Sequence, residues 1–314
     1  MNRKLLALAV TAALAAPMAA QAAPTLYGRL NLSVDMVDKE SSGDDAWQVN
    51  SNASRLGVRG EESLGNGLSA IYQAEWEVAG DLAGVNDLAG RDRFLGLRGN
   101  FGTVKLGAYE APLNTSQGAV DLFDDMTHGD MANFGIVGEQ RMDNLIGYES
   151  PKIADAISVK VAIQPGEETG GEDGLADVIS ASVAYEAGGL YVALGVEQGN
   201  DTGNPNTNAV DDIVRLTAVY TMDNLQLGAM FQQAEPSDGS ADKLNAFLVG
   251  AAFTSGKNVF KAQLISTEDT VDVIQLGAEH NFTQMTKAYL HLSQAEWDND
   301  DKDTVVSVGM QTNF

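Results

Sequence analysis

Residues 26–36 read LYGRLNLSVDM, and every second side chain is polar. Tyr27, Arg29, Asn31, Ser33 and Asp35 alternate with Leu26, Gly28, Leu30, Leu32, Val34 and Met36. Successive side chains of an extended backbone point to opposite faces, so this stretch has one hydrophilic, charged face and one apolar face. Its length matches the roughly 9–11 residues that a tilted strand needs to cross a bilayer. The same rhythm returns along the chain. Arg55, Arg59 and Glu61 share one side of their segment, and Gln73, Glu75 and Glu77 oppose Tyr72, Ala74 and Trp76. Arg91 and Arg93 read as sharing a face. At the end, Val306, Val308, Met310, Thr312 and Phe314 lie on one face, with Ser307, Gly309, Gln311 and Asn313 on the other.

The connections alternate as well. Short turns fall near 65, 101, 153, 188, 223, 257 and 283. Longer, mostly acidic loops fall near 38–46, 79–90, 110–141, 165–177, 199–211, 235–242, 266–270 and 296–303. Short turns at one end, long loops at the other and an even count of about sixteen strands predict an all-β fold, a transmembrane antiparallel β-barrel. Closure removes the strand edges that an open sheet leaves unpaired.

One connection departs from this rhythm. Between Glu110 and Arg141 the alternation stops, although unstructured connections beyond about 12–15 residues are uncommon in compact domains. Leu113, Val120, Leu122, Phe123, Met131, Phe134 and Ile136 make it too apolar for a free linker. Asp121, Asp124, Asp125 and Asp130 add carboxylates. The segment therefore reads as a loop that packs against one surface and presents acids to another.

Residues 1–22 read as a cleaved signal peptide, with Asn2-Arg3-Lys4, an apolar run from Leu5 to Ala16, and the small-x-small pattern Ala20-Gln21-Ala22. Residues 23–314 then form the barrel, with 110–141 as its inward loop. Removing Arg3 and Lys4 takes the formal charge from −25 to −27. Such an acidic chain opposes nucleic-acid binding, which needs a basic footprint. There is no cysteine, so no disulfide contributes to stability. No later segment has the run of about 18 or more apolar residues of a membrane helix. His128, His280 and His291 are too scattered for a triad, and Ser293 beside His291 has no third partner, so no enzyme is expected. Residues 298–303, DNDDKD, lack the central glycine and distal glutamate of a calcium loop and read as a solvated acidic tip. The acidic rim also includes Asp38, Glu40, Asp44, Asp45, Glu167, Glu168, Glu172, Asp173 and Asp177.

Several motifs resemble the Gram-negative general porins. These are Thr25-Leu26-Tyr27-Gly28-Arg29, Ser54-Arg55-Leu56-Gly57-Val58-Arg59-Gly60-Glu61, Arg93-Phe94-Leu95-Gly96-Leu97-Arg98-Gly99 and the terminal Phe314. The resemblance implies a homotrimer of sixteen-stranded barrels in the outer membrane, in contact with its lipid and lipopolysaccharide. Each barrel would have its third loop folded inward as a constriction and would pass ions and small hydrophilic solutes passively, without a cofactor or metal. A substrate-selective channel, or from another class an adhesin or anchor, is the alternative. The resemblance places Arg29, Arg55, Arg93 and Arg141 on the basic side of the constriction, and strand parity independently turns Arg29 and Arg55 inward. The family's Pro-Glu-Phe loop signature is missing, so Asp121, Asp124 and Asp125 are the candidate acidic side. Phe314 is the expected barrel-assembly end. The acidic rim predicts a weak preference for cations.

Overall fold

The computed structural model describes residues 23–40, 43–82, 88–166, 174–199, 210–236 and 243–314. The predicted signal peptide lies outside the described residues, as do Glu167, Glu168, Glu172 and Asp173 of the predicted rim. Seventeen strand segments form a single antiparallel sheet. The first eight are β1 (Thr25–Lys39), β2 (Asp44–Ser51), β3 (Arg55–Gly65), β4 (Leu68–Val78), β5 (Leu88–Gly99), β6 (Gly102–Glu110), β7 (Arg141–Glu149) and β8 (Ile157–Gln164). Next come β9 (Val178–Ala187), β10 (Leu190–Gln198), β11 (Val210–Met222), β12 (Leu225–Pro236) and β13 (Leu244–Ser255). The last four are β14 (Asn258–Thr267), β15 (Val271–Asn281), β16 (Thr286–Trp297) and β17 (Lys302–Asn313).

β1 pairs with β17 from Arg29↔Asn313 to Lys39↔Asp303, which closes the sheet into a barrel. β2 and β3 both pair with β1 and are halves of one strand, interrupted where Ala53 takes a left-handed backbone (φ 47°). The barrel is therefore sixteen-stranded. The acidic loop expected at 38–46 is shorter than that. β2 already begins at Asp44, and Trp47 and Val49 stand opposite Met36 and Val34, continuing the outward apolar face.

Burial is inverted relative to a soluble protein. Asn31, Ser33 and Asp35 are at most 4% exposed, whereas Leu26, Leu30 and Val34 are 63%, 43% and 49% exposed. Contiguous apolar surface of that extent needs lipid against it. Outward aromatics gather near the short turns: Phe101, Tyr148, Tyr185, Tyr220, Phe253 and Phe260 are all exposed. A ring of this kind is the aromatic girdle of a membrane interface.

The chain's last residue completes the seam. The Gly28 amide donates to the Phe314 carbonyl (2.9 Å), and the Phe314 amide donates back to the Gly28 carbonyl (3.0 Å). The Phe314 ring lies over Gly28, where a Cβ would collide with it, so glycine is required there. Deleting Phe314 removes both bonds and the ring. The expected outcome is a lower outer-membrane yield with unchanged conductance in the molecules that insert, and a normal yield would count against an assembly role. Leu56, exposed on the outer face, is the comparison site. Leu56→Lys puts a charge against lipid at a cost of up to about 4 kcal/mol, and insertion itself should fall.

Candidate functional site

Residues 111–140 do not leave the barrel. They begin in a short helix, α1 (Pro112–Thr115), and include a 3-10 turn at Met131–Phe134 whose Ala132 amide donates to the Asp130 carboxylate. Inward side chains from successive strands hold the loop's backbone. Ser180 of β9 accepts from the Leu113 amide (3.0 Å), and the Tyr191 hydroxyl of β10 donates to the Ser116 carbonyl (3.1 Å). Gln263 of β14 accepts from the Leu122 amide (2.7 Å), and Gln275 of β15 donates to the Gly129 carbonyl (2.9 Å). On the return leg, Thr267 donates to the Phe134 carbonyl and Arg215 to the Val137 carbonyl, both at 2.7 Å. The loop's apolar residues explain the rest. Val120, Met131, Phe134 and Ile136 are buried with Val219, Met230, Leu248, Ile265 and Val273. The lumenal face of β11–β16 is thus apolar where the loop covers it.

The loop's tip reaches the opposite side of the seam. Asp125, left-handed at φ 68°, places one carboxylate oxygen 2.5 Å from Arg29 Nη2 and 2.6 Å from Arg55 Nη2. Arg91 Nη2 stands 3.6 Å from the other oxygen. Burial alone would raise the Asp125 carboxyl, but the arginines hold it below the usual carboxylate range. Its hold on the loop is therefore present above that range and is lost only as pH falls through the depressed value. Beside it, Asn52 accepts from the Thr127 amide (2.9 Å) and donates to Ser33 (2.8 Å).

Of the four arginines expected on the basic side, Arg29 and Arg55 meet the loop's acid. Arg141 does not. It binds Asp92 (2.7 Å) and Glu110, one wall segment away. Arg93 faces the other way. The β4–β5 register shifts between Ala74 and Trp76, so Glu75 stands opposite both Arg91 and Asp92. This bulge turns Arg91 inward and sends Arg93 out with Leu95 and Leu97, its guanidinium over the space left by Gly90. Of the three expected acids, Asp125 alone touches the arginines. Asp121 is buried and accepts from the Phe123 and Met131 amides and from Gln263, so it shapes the loop from within. Asp124 is exposed to the lumen without an arginine partner. Alternation sets Glu75 on a polar face and Arg91 beside Arg93 without assigning either to the constriction, and it does not mark Arg215 or Glu139. The inward position of Arg215, between Val214 and Leu216, was available as a signal; the β4–β5 bulge was not. Arg215 is fully buried and pairs with Glu139 and Gln232. His291 packs its ring on Phe123 at 4.7 Å and makes no hydrogen bond to Ser293 among the described residues.

A water-accessible cavity of about 730 Å³ lies between the loop and the wall of β3–β7. Arg55, Arg91 and Arg141 line it, and so do Glu77, Glu110, Asp124, Asp125, Asp130 and Glu139. Although its surface meets the lumen water, desolvation by the protein crowding the gap between loop and wall, and then the neighbouring carboxylates, push Asp124 up to about 8. Burial, only partly offset by Arg215, pushes Glu139 up to about 7. Asp121 is pushed up to about 6, also chiefly by burial, while burial pushes the His128 imidazole down.

The model of the Gram-negative porin family matches residues 7–301. The chain is a Gram-negative porin. A relative from Delftia acidovorans, outer membrane porin protein 32, is 30% identical over 93% of this chain and 89% of its own length. The major outer membrane protein P.IB of Neisseria meningitidis is 26% identical over the full length of both chains. Among solved structures, an anion-selective porin from Comamonas acidovorans superposes with a TM-score of 0.79 at 26% identity, covering 93% of this chain and 99% of that one. This porin resides in the outer membrane of a Gram-negative bacterium and forms a water-filled channel for passive diffusion of ions and small hydrophilic solutes. Its family comprises channels rather than enzymes.

The raised carboxyls make the porin's lumenal charge change near neutral pH. Asp124 and Glu139 are neutral below their raised pKa values of about 8 and about 7 and charged above them. Cation preference in the reversal potential should therefore grow between roughly pH 6 and 9. In Asp124→Asn the upper part of that rise should be lost. A pH-independent potential in the unaltered porin would contradict the assignment.

Proposed function

We propose that this porin is a cation-preferring diffusion channel whose narrowest section lies between the long loop and the wall of β3–β7. One observation carries the reading: three arginines line that section against six carboxylates. Each arginine is already occupied, Arg55 by Asp125, Arg91 by Glu75 and Glu77, and Arg141 by Asp92 and Glu110. Asp124 faces the water with no cationic partner among the described residues, and it adds its charge to this side as pH rises through about 8. Opposed charges across a water-filled gap filter permeants by charge and dipole, and here the balance is negative. Selectivity follows from the side chains that face the permeant, so the anion preference named for the Comamonas protein does not transfer with the fold.

The acidic loop ends reinforce this sign. Asp38, Glu40, Asp45, Asp298, Asp300 and Asp301 surround the mouth. At about 0.1 M salt the Debye length is about 10 Å and their field reaches the entrance; at about 1 M it is about 3 Å and does not.

The same reading takes the porin to be a homotrimer, with outer-membrane lipid and lipopolysaccharide covering the apolar belt outside the subunit contacts. A trimer form is known for OmpT of Vibrio cholerae, which shares the fold at 16% identity. The outward Arg93 supports a protein neighbour, because an arginine against lipid at mid-membrane costs about 2–4 kcal/mol.

The test is the reversal potential across a salt gradient. It should favour cations at about 0.1 M and lose most of that preference at about 1 M. Arg141→Gln should increase it while leaving the loop fastened, since Arg141 binds no loop carboxylate. A potential favouring anions at low salt would overturn the reading.

A further inference from the structure

We propose that this porin rectifies, passing more current when its extracellular side is positive, because the long loop separates an acidic outer vestibule from a basic inner one. The proposal rests on the cation-selective reading for the outer charges only, and the inner charges come from different residues. Short turns mark the periplasmic end of such barrels and long loops the extracellular end.

Beneath the loop stand two matching clusters, each with two lysines about one glutamate. On one wall, Lys261 and Lys287 share Glu279 at 2.5 and 3.0 Å. On the other, Lys105 binds Glu149 at 2.5 Å, and Lys160 lines the same small recess. Each cluster also grips the underside of the loop. The Lys261 ammonium donates to the Leu122 carbonyl (3.0 Å), and the Lys160 ammonium donates to the Thr115 hydroxyl (3.0 Å). Arg98 pairs with Glu61 (3.2 Å), and Arg59 lies over the Tyr27 ring. Six cationic side chains thus face three glutamates there, while Lys152 and Glu186 at the rim pair with each other (2.6 Å). The turns below add Lys257 against Asp155 and Asp223, and Glu62 falls on the outward parity of β3, so the positive surplus is that of the side chains lining the lumen, six cations against three glutamates.

Above the loop the balance reverses. Among the described residues its cations are Lys39, Lys243 and Lys302. They face Asp35 on the wall and a rim that includes Glu268, Asp269 and Asp272 as well as the carboxylates at 298–303.

A cleft lined by one sign of charge concentrates counter-ions. With the extracellular side positive, cations enter through the acidic vestibule and anions through the basic one, so both accumulate at the loop and conductance rises. With the opposite polarity both are drawn away from the loop, and conductance falls.

Because the chain has no cysteine, Asp300→Cys gives a unique thiol on the outer side. The bilayer compartment from which a membrane-impermeant thiol reagent reaches it reports orientation. At about 0.1 M salt the current should be larger with that compartment positive, and the asymmetry should be lost at about 1 M. Lys287→Gln combined with Arg98→Gln should bring the current ratio toward one, since neither residue contacts the loop. Glu61→Gln should raise the ratio. An anion-favouring reversal potential with asymmetry of the stated sign would sink the selectivity reading and support this one. Equal currents at low salt in oriented channels, or a larger current with the extracellular side negative, would overturn it.

Discussion

Two guanidinium groups from β1 and β3 reach the same carboxylate oxygen of Asp125, and a third from β5 stands behind them. That contact fixes where the loop's tip lies, and hence which part of the lumen stays open. Removing one partner of a buried ion pair costs about 3–5 kcal/mol; these side chains keep about a fifth of their surface in water, so screening lowers that figure. The clamp depends in turn on the bulge at Glu75. One extra residue in β5 turns both Arg91 and Asp92 to the inner face. Arg91 then braces Glu75 and Asp125, and Asp92 holds Arg141. A single irregularity in the ladder therefore supplies two of the wall's ion-pair partners.

The rest of the loop is held by a different force. A wall facing water should be polar, yet Ile265, Val273 and Leu248 turn inward and are buried beneath Val120, Met131 and Phe134. Burying a large aliphatic or aromatic side chain contributes about 1.5–3 kcal/mol. The barrel thus contains a small hydrophobic core displaced to one side of its lumen. The glutamines of that wall, Gln232, Gln263 and Gln275, are buried to within 1% exposure. They satisfy backbone or side-chain groups that the loop and wall would otherwise leave without partners.

Strand alternation made the architecture legible. The period-two pattern of residues 26–36 names the inner face correctly, because nothing interrupts β1 between its turn and its loop. The same reading of Arg91-Asp92-Arg93 fails, since parity survives only where the ladder has no bulge, and a bulge leaves no mark in residue type. β2 was hidden by the charges of Asp44 and Asp45, which read as loop although Trp47 and Val49 continue a lipid-facing row. Asp121 could not be told from Asp125 by composition. One is neutralised by amides within the loop and the other by arginines across the lumen, and only tertiary placement separates those environments.

The position of the clamp also has a consequence for assembly order. Arg29 lies on the strand that seals the barrel, and Tyr289 of β16 bonds to Asn31 and Asn52 across that same seam (2.8 and 3.1 Å). Apart from Arg29, Asn52, Arg55 and Arg91, which hold the tip from β1–β5, the loop's anchors lie on strands synthesised after it, from β8 to β15. The loop therefore has both sets of partners, those of β1–β5 and those of β8–β15, only once the wall has curled round it. Contacts this distant in sequence slow folding, because chain closure must precede the interactions that reward it. Sealing the wall and setting the aperture are thus one event, and a half-closed barrel lacks a defined pore.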